Sequence, residues 1–319
     1  MRAVVVIIAL LVLAACGSPT TTQAGASRVD APGPPEITAH ASLPAGTPGA
    51  GRPTVVLGTK DFAEQFLLGE LYAQALRAKG FTVDLLQNVG GSEIIDSAFA
   101  SNQIQMYPEY LGEVAALAGG PAATTPLASY RKAQAFERSR RAAAVLDQTP
   151  YQNTDVVVVR REFAQQHGLA SVGDLAGAGD VVLAAQPPFR TRQNGLAGMR
   201  AVYGLDDVSL LAVAPDETYS ALDAGRAQAA DGFSTDPQLG TGHYVELDDP
   251  RTVFGFQYVA PVVKQATLDA AGPAFAQTCN WVSSLLTVAD VRAMNRQVQS
   301  DGADEATVAR DFLARHGLR

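Results

Sequence analysis

Residues 54–83, TVVLGTKDFAEQFLLGELYAQALRAKGFTV, read as strand, tight turn, helix, strand, and this alternation constrains the fold more than any other feature of the chain. Residues 54–58 form a short valine-rich run of the kind found in buried parallel strands. Thr59 and Lys60 open a helix on which Phe62, Phe66, Leu67, Ala73 and Leu76 fall near one face. Gly80 is placed to end that helix, and residues 81–86 resume a strand. In open α/β sheets, a turn from a strand's carboxyl end into a helix N-terminus is where ligands bind.

The alternation continues down the chain. After the turn Asn88-Val89-Gly90-Gly91-Ser92, with Ser92 as expected N-cap, a helix is predicted over 93–100. A strand at 104–107 runs into Pro108, expected in the first turn of another helix, and 130–146 reads as helical. Residues 152–160, QNTDVVVVR, hold four consecutive valines and predict a strand buried on both faces. A second set follows: strands at 181–185, 208–213 and 227–233, helices at 191–203 and 216–224, then short strands at 244–247 and 257–263. From 266 onward the pattern is helical. The class is α/β, with two lobes joined by two hinge strands and the second lobe inserted in the first. Residues 54–156 plus 261–319 are expected to form lobe 1, and 157–260 lobe 2. Such an arrangement is a clamshell whose cleft closes by hinge motion.

The first 53 residues differ in kind. Residues 1–15 carry one charge, Arg2, followed by an almost wholly apolar run, too short to span a bilayer comfortably. Leu13-Ala14-Ala15-Cys16 resembles a bacterial lipobox, which implies lipid modification of Cys16 and attachment to the outer face of a membrane. Residues 16–53 are rich in Gly, Ser, Thr, Pro and Ala and lack apolar periodicity; a tether is expected there. The net charge of −8 argues against nucleic acid as a partner. With Cys16 acylated, the remaining cysteine, Cys279, is expected as a buried free thiol beside Phe275 and Trp281. The histidines are isolated, so no metal site is expected. No nucleophile elbow, phosphate loop or paired-carboxylate motif is present, so neither catalytic residues nor a cofactor are expected.

Seven segments in series carry a resemblance. Residues 58–76 (GTKDFAEQFLLGELYAQAL), 88–93 (NVGGSE), 107–112 (YPEYLG), 152–156 (QNTDV), 189–199 (FRTRQNGLAGM), 232–236 (GFSTD) and 259–263 (VAPVV) occur in the order of motifs in the binding proteins of bacterial glycine betaine/choline/carnitine ABC transporters, which the chain resembles. The resemblance implies the type II periplasmic-binding-protein clamshell and an extracytoplasmic, monomeric receptor that serves an ABC permease and ATPase in osmoprotectant uptake. It also implies a quaternary ammonium held by aromatic faces through cation–π attraction, with any ligand carboxylate met by Lys, Arg or helix N-terminal N–H groups.

Carried over position by position, the resemblance implies ligand contact at Lys60, Gln65, Ser92, Tyr110 and Arg192, with Lys60 at the anionic end of the ligand. Glu113 stands where threonine is common, and Asp155 where many members have a cage tyrosine. Phe233 replaces a tyrosine, and Gln257 falls where another is usual. Tyr258, next to it, could substitute only with a shift of register. A cleft less aromatic and more acidic than usual is therefore expected. It would favour a betaine-like cation with extra N–H donors or a second positive charge, an ergothioneine-type betaine being one candidate. A sensory lipoprotein without a transport role is the alternative from another class.

Overall fold

The structure, a computed structural model, describes residues 41–318. The expected signal segment, Cys16 and residues 17–40 lie outside the described residues.

Two five-stranded sheets are each built to one plan. The first contains β1 (Val55–Gly58), β2 (Val83–Leu86), β3 (Met106–Tyr110) and β4 (Ala143–Val145). The second contains β5 (Asp155–Arg160), β6 (Val182–Ala185), β7 (Ser209–Ala212), β8 (Ala229–Phe233) and β9 (Tyr244–Leu247), and β10 (Val259–Lys264) returns to the first. The orders are β2-β1-β3-β10-β4 and β7-β6-β8-β5-β9. In each sheet three strands run parallel, and the antiparallel member next to them is the one that has just crossed from the other lobe. The four valines of β5 are buried on alternate sides, Val157 and Val159 in one apolar cluster and Val156 and Val158 in another.

Helices cover both faces. In the first lobe they are α1 (Ala63–Ala78), α2 (Ser92–Ala100), α3 (Leu111–Leu117) and α4 (Pro126–Phe136). The second lobe has α5 (Arg161–His167), α6 (Leu196–Tyr203) and α7 (Thr218–Asp223), and α8 (Gln265–Ala271), α9 (Pro273–Leu285), α10 (Val288–Gln299) and α11 (Glu305–Arg315) close the chain. Leu67, Leu71 and Leu76 of α1 pack with Phe275, Cys279, Trp281 and Phe312 of α9 and α11 in the largest core cluster. Cys279 is fully buried and free, as its neighbours predicted. Among the described residues, no helix is long and apolar enough to cross a membrane.

Several local readings are corrected. Pro108 lies inside β3, opposite Pro261 of β10, and not in a helix. The pairing tolerates two prolines because Pro261 turns its peptide edge to the other side, where its carbonyl accepts from Leu146 N at 2.9 Å. The expected helix 130–146 ends in a π-helical turn, Glu137–Arg141, and a left-handed Ala142, after which β4 begins. Arg192 precedes α6, in the turn after a 3₁₀ segment. Ser92 is the first residue of α2, whose N-cap is Gly91.

The chain changes sheet two residues earlier than the lobe limits expected from sequence. Asp155 and Val156 already pair with Phe233 and Gly232, and Val259 and Ala260 with Tyr110 and Glu109. The crossing point is the bridge Gln152–Tyr258. Residues 41–53 are docked on the first lobe. Gln277 Nε2 donates to Ser42 O at 2.8 Å, Gly49 N donates to Lys79 O at 2.9 Å, and Leu43 packs against the core. Periodicity could not reveal this segment, because it is held by turns and backbone hydrogen bonds.

Candidate functional site

A cleft of about 810 Å³ lies between the lobes, walled by the turns at the ends of β1, β3, β5 and β8. On the first wall, Lys60 sits in the turn between β1 and α1, with its side chain 4 % exposed and its Nζ 2.6 Å from Glu109 Oε1. Nζ also donates to Ser92 Oγ at 3.1 Å and lies 5.2 Å from the centroid of the Tyr110 ring. Burial raises the Glu109 carboxyl above its ordinary range, and the Lys60 ammonium works against that rise. Lys60 therefore reaches the cleft with its charge largely neutralised.

Tyr110 ends β3, and its ring stacks on Phe62 at 6.0 Å between centroids. Its hydroxyl donates to Glu64 Oε1 at 2.9 Å. Glu64 is 2 % exposed and gathers donors from three parts of the molecule. Asn153 at the crossing bonds Oε1 at 3.2 Å, Tyr151 bonds the same oxygen at 3.4 Å, and Asn295 of α10 bonds Oε2 at 3.0 Å. A buried carboxylate with several donors is stabilised without a cation beside it. On the same side, Glu113 accepts from Gln257 Nε2 at 3.2 Å. Gly112 leaves room for this contact, since a Cβ there would stand 2.6 Å from the Gln257 amide.

The second wall is an antiparallel strand pair. Asp155 opens β5, Phe233 ends β8 directly opposite, and Asp231 lies two residues before Phe233 on the same face. Asp236 accepts from Tyr219 Oη and from Phe233 N, both at 2.8 Å. Gly232 makes this possible, because a Cβ there would meet Tyr219 Oη at 2.9 Å and Asp236 Oδ2 at 3.0 Å. Burial pushes Asp155 up to about 6, with Arg192 pulling it down and Glu113 adding to the rise. Burial first, and then repulsion from Asp155, push Asp231 up to about 8, again against Arg192.

Of the residues singled out from sequence, Lys60, Ser92, Tyr110, Glu113, Asp155, Arg192, Phe233 and Gln257 line this cleft. Two do not. Gln65 is fully buried behind the first wall, where its Oε1 accepts from Lys60 N at 3.3 Å. Tyr258 is 8 % exposed and packs with Phe256, Tyr107 and Phe99 in a core cluster of the first lobe. It follows Gln257 in an extended segment, so one faces the cleft and the other the core. Sequence reasoning missed Phe62, Glu64, Asp231, Tyr219 and Asn295. Phe62 and Glu64 lie within the 58–76 motif and could have been found there. Tyr219 was passed over as one residue of a helix.

Two rings on each lobe, Phe62 and Tyr110 on the first and Tyr219 and Phe233 on the second, line this cleft. Its acidity is greater than expected: seven lining side chains are carboxylates, and two, Lys60 and Arg192, are cationic.

The chain matches the family model described as the substrate-binding domain of ABC-type glycine betaine transport systems over residues 53–315. The chain belongs to this family. Its members are extracytoplasmic substrate-binding components of transporters and not enzymes. Two relatives are alike over most of their length. The glycine betaine-binding protein YehZ of Escherichia coli (strain K12) is 28 % identical over 82 % of this chain and 90 % of its own. A glycine-betaine-binding protein of Pseudomonas aeruginosa is 27 % identical over 83 % and 88 %. A crystal structure of a glycine betaine/carnitine/choline ABC transporter protein superposes with a TM-score of 0.77 at 20 % identity, covering 83 % of this chain and 99 % of that one. The fold is that of the family's two-lobed clamshell.

Proposed function

We propose that the cleft captures a quaternary-ammonium or betaine-like cation, which the chain, held to the outer face of the membrane through lipid on Cys16, delivers as a monomer to an ABC permease and ATPase. The observation that carries this reading is the set of four aromatic side chains, two from each lobe, that line an acidic cleft. An onium ion that cannot donate an N–H is attracted to the faces of such rings, by about 0.5–2 kcal/mol each. The surplus of carboxylates supplies the countercharge.

The anionic end of a betaine is assigned to Arg192. It makes no ion pair among the described residues, whereas Lys60 is already committed to Glu109. Titration calorimetry with glycine betaine, choline, carnitine, proline betaine and ergothioneine tests the reading. At least one should bind at a single site, and Tyr110→Ala should weaken it by roughly 3- to 30-fold. Failure of the whole panel to bind the folded protein would refute it.

A further inference from the structure

The parallel strands β1, β2, β3 and β4 of the first lobe run toward the cleft and begin at the opposite end, where β10 finishes. Cations collect on the β10–β4 side of that end. Residues 114–146 hold five of them, Arg131, Lys132, Arg138, Arg140 and Arg141, against one carboxylate, Glu137, which is fully buried. Arg131 and Arg138, with Ala135 between them, lie on one exposed face of α4 and the π-helical turn, and Arg140 is exposed beyond them. Among the described residues, neither these three nor Lys132 make an ion pair. Lys264 ends β10 beside the turn, its Nζ donating to Arg141 O at 3.2 Å. Arg52, exposed where the chain enters β1, donates to Ala270 O at 3.1 Å. Between the two lies a cavity of about 340 Å³ whose only charged lining residue is Lys264. On the bordering helices, Asp96 is committed to Arg141, Asp269 accepts from Gln265 at 2.9 Å, and Glu93 sits at the cleft end of α2.

We infer that this end of the first lobe rests on an anionic lipid surface. Two features select lipid over an acidic protein as its occupant. The chain carries a net charge of −8, so a negatively charged plane repels most of the molecule and draws in only this end. Residues 41–53, through which the chain runs back toward Cys16, are docked at the same end, Gly49 on Lys79, Arg52 on α8 and Ser42 on the start of α9. This second feature rests on the tethered reading given above, and the first does not. Leu127, four residues before Arg131 on the same helix face and 36 % exposed, adds an apolar contact of the kind that surface-lying helices make with lipid. The acidic cleft, at the other end of the strands, is thereby held facing away from the surface.

The test is co-sedimentation of the full chain with vesicles of phosphatidylcholine alone and of phosphatidylcholine and phosphatidylglycerol in equal parts. At low salt the chain should partition about tenfold or more in favour of the anionic vesicles, and high salt should remove the preference by screening exposed charges. Arg138→Glu combined with Arg140→Glu should lose most of that preference while melting and binding ligand as the unaltered chain does. Arg161→Glu combined with Arg226→Glu changes two exposed cations of the second lobe. It has the same net charge and should keep the preference. Should the first pair fail to fold, Arg138→Gln with Arg140→Gln is the milder form, with a smaller loss expected. The apolar residues 1–15 act alike in every variant, so the comparison isolates the basic end. Equal partition of the unaltered chain onto the two kinds of vesicle, or an equal loss in the two double variants, overturns the inference. An acidic protein surface then becomes the occupant to seek, and the reading of the cleft stands unaffected.

Discussion

Lys60 changes its meaning once its surroundings are known. With its ammonium 2.6 Å from Glu109 and both side chains almost fully enclosed, it holds the first wall together. Lys60→Met would leave Glu109 buried and unpaired, a loss of about 3–5 kcal/mol. Urea unfolding should register this as a lowered midpoint, whereas a purely ligand-directed lysine would leave the midpoint unchanged. Asp155 makes a prediction of a different kind. Its carboxyl, pushed up to about 6, is protonated below that pH and ionised above it. Affinity for a cation should therefore rise severalfold between pH 5 and 7, with Arg192, Glu113 and Asp231 as the charges acting on it. The stability of the ligand-free protein should move the other way. Between about pH 4 and 6 the folded chain keeps a proton that the unfolded chain has lost, so this contribution is present at low pH and fades as pH rises through about 6. Asp155→Asn should flatten both profiles, read by calorimetry and thermal melts across that range.

α10 is the element that ties the lobes together outside the crossing strands. It packs on the first lobe, yet Arg292 Nε donates to Ser234 O and its Nη2 to Glu246 Oε2, each at 2.7 Å, both acceptors belonging to the second lobe. Both side chains of the ion pair are partly exposed, so solvent screens it. Arg292→Ala should cost about 1 kcal/mol of stability and widen the distribution of lobe angles, seen as a larger radius of gyration in solution scattering without ligand. At this scale the sequence was legible wherever burial imposed a period. The valines of β5, the apolar face of α1 and the strand-helix alternation all came through. It was opaque where the backbone was held by something other than periodicity. Pro108 looked like a helix start because a proline opposite a proline in a sheet is rare, and β4 was swallowed by a helical pattern that breaks only at the left-handed Ala142. The site shows the same division. Positions within the motifs fell on the cleft, but Asp231 and Asn295 lie outside any motif and reach it only through strand pairing and the packing of α10.

As a whole, the molecule is two sheets of the same plan that face each other across a charged gap and are joined by backbone at Gln152–Thr154 and Phe256–Tyr258. A ligand that contacts both walls stabilises the folded state by mass action, by about 2.7 kcal/mol at a hundredfold excess over Kd. For a chain of this size that corresponds to a rise in Tm of roughly 4–5 °C. Differential scanning fluorimetry with a binding cation should show it, and a non-binding control cation at equal ionic strength should not.

The two walls are not wired alike. The first is bound into the hydrogen-bond hub of Glu64, which also holds Tyr110, Asn153 and Asn295, so changing it disturbs the joint between the lobes. The second is carried by one strand pair, with Asp155, Asp231 and Phe233 projecting from it and Asp236 closing its end. Substitutions there can accumulate at little cost to folding. A change of solute preference is therefore cheaper to make on the second wall than on the first, where the same residues that face the solute also hold the joint between the lobes.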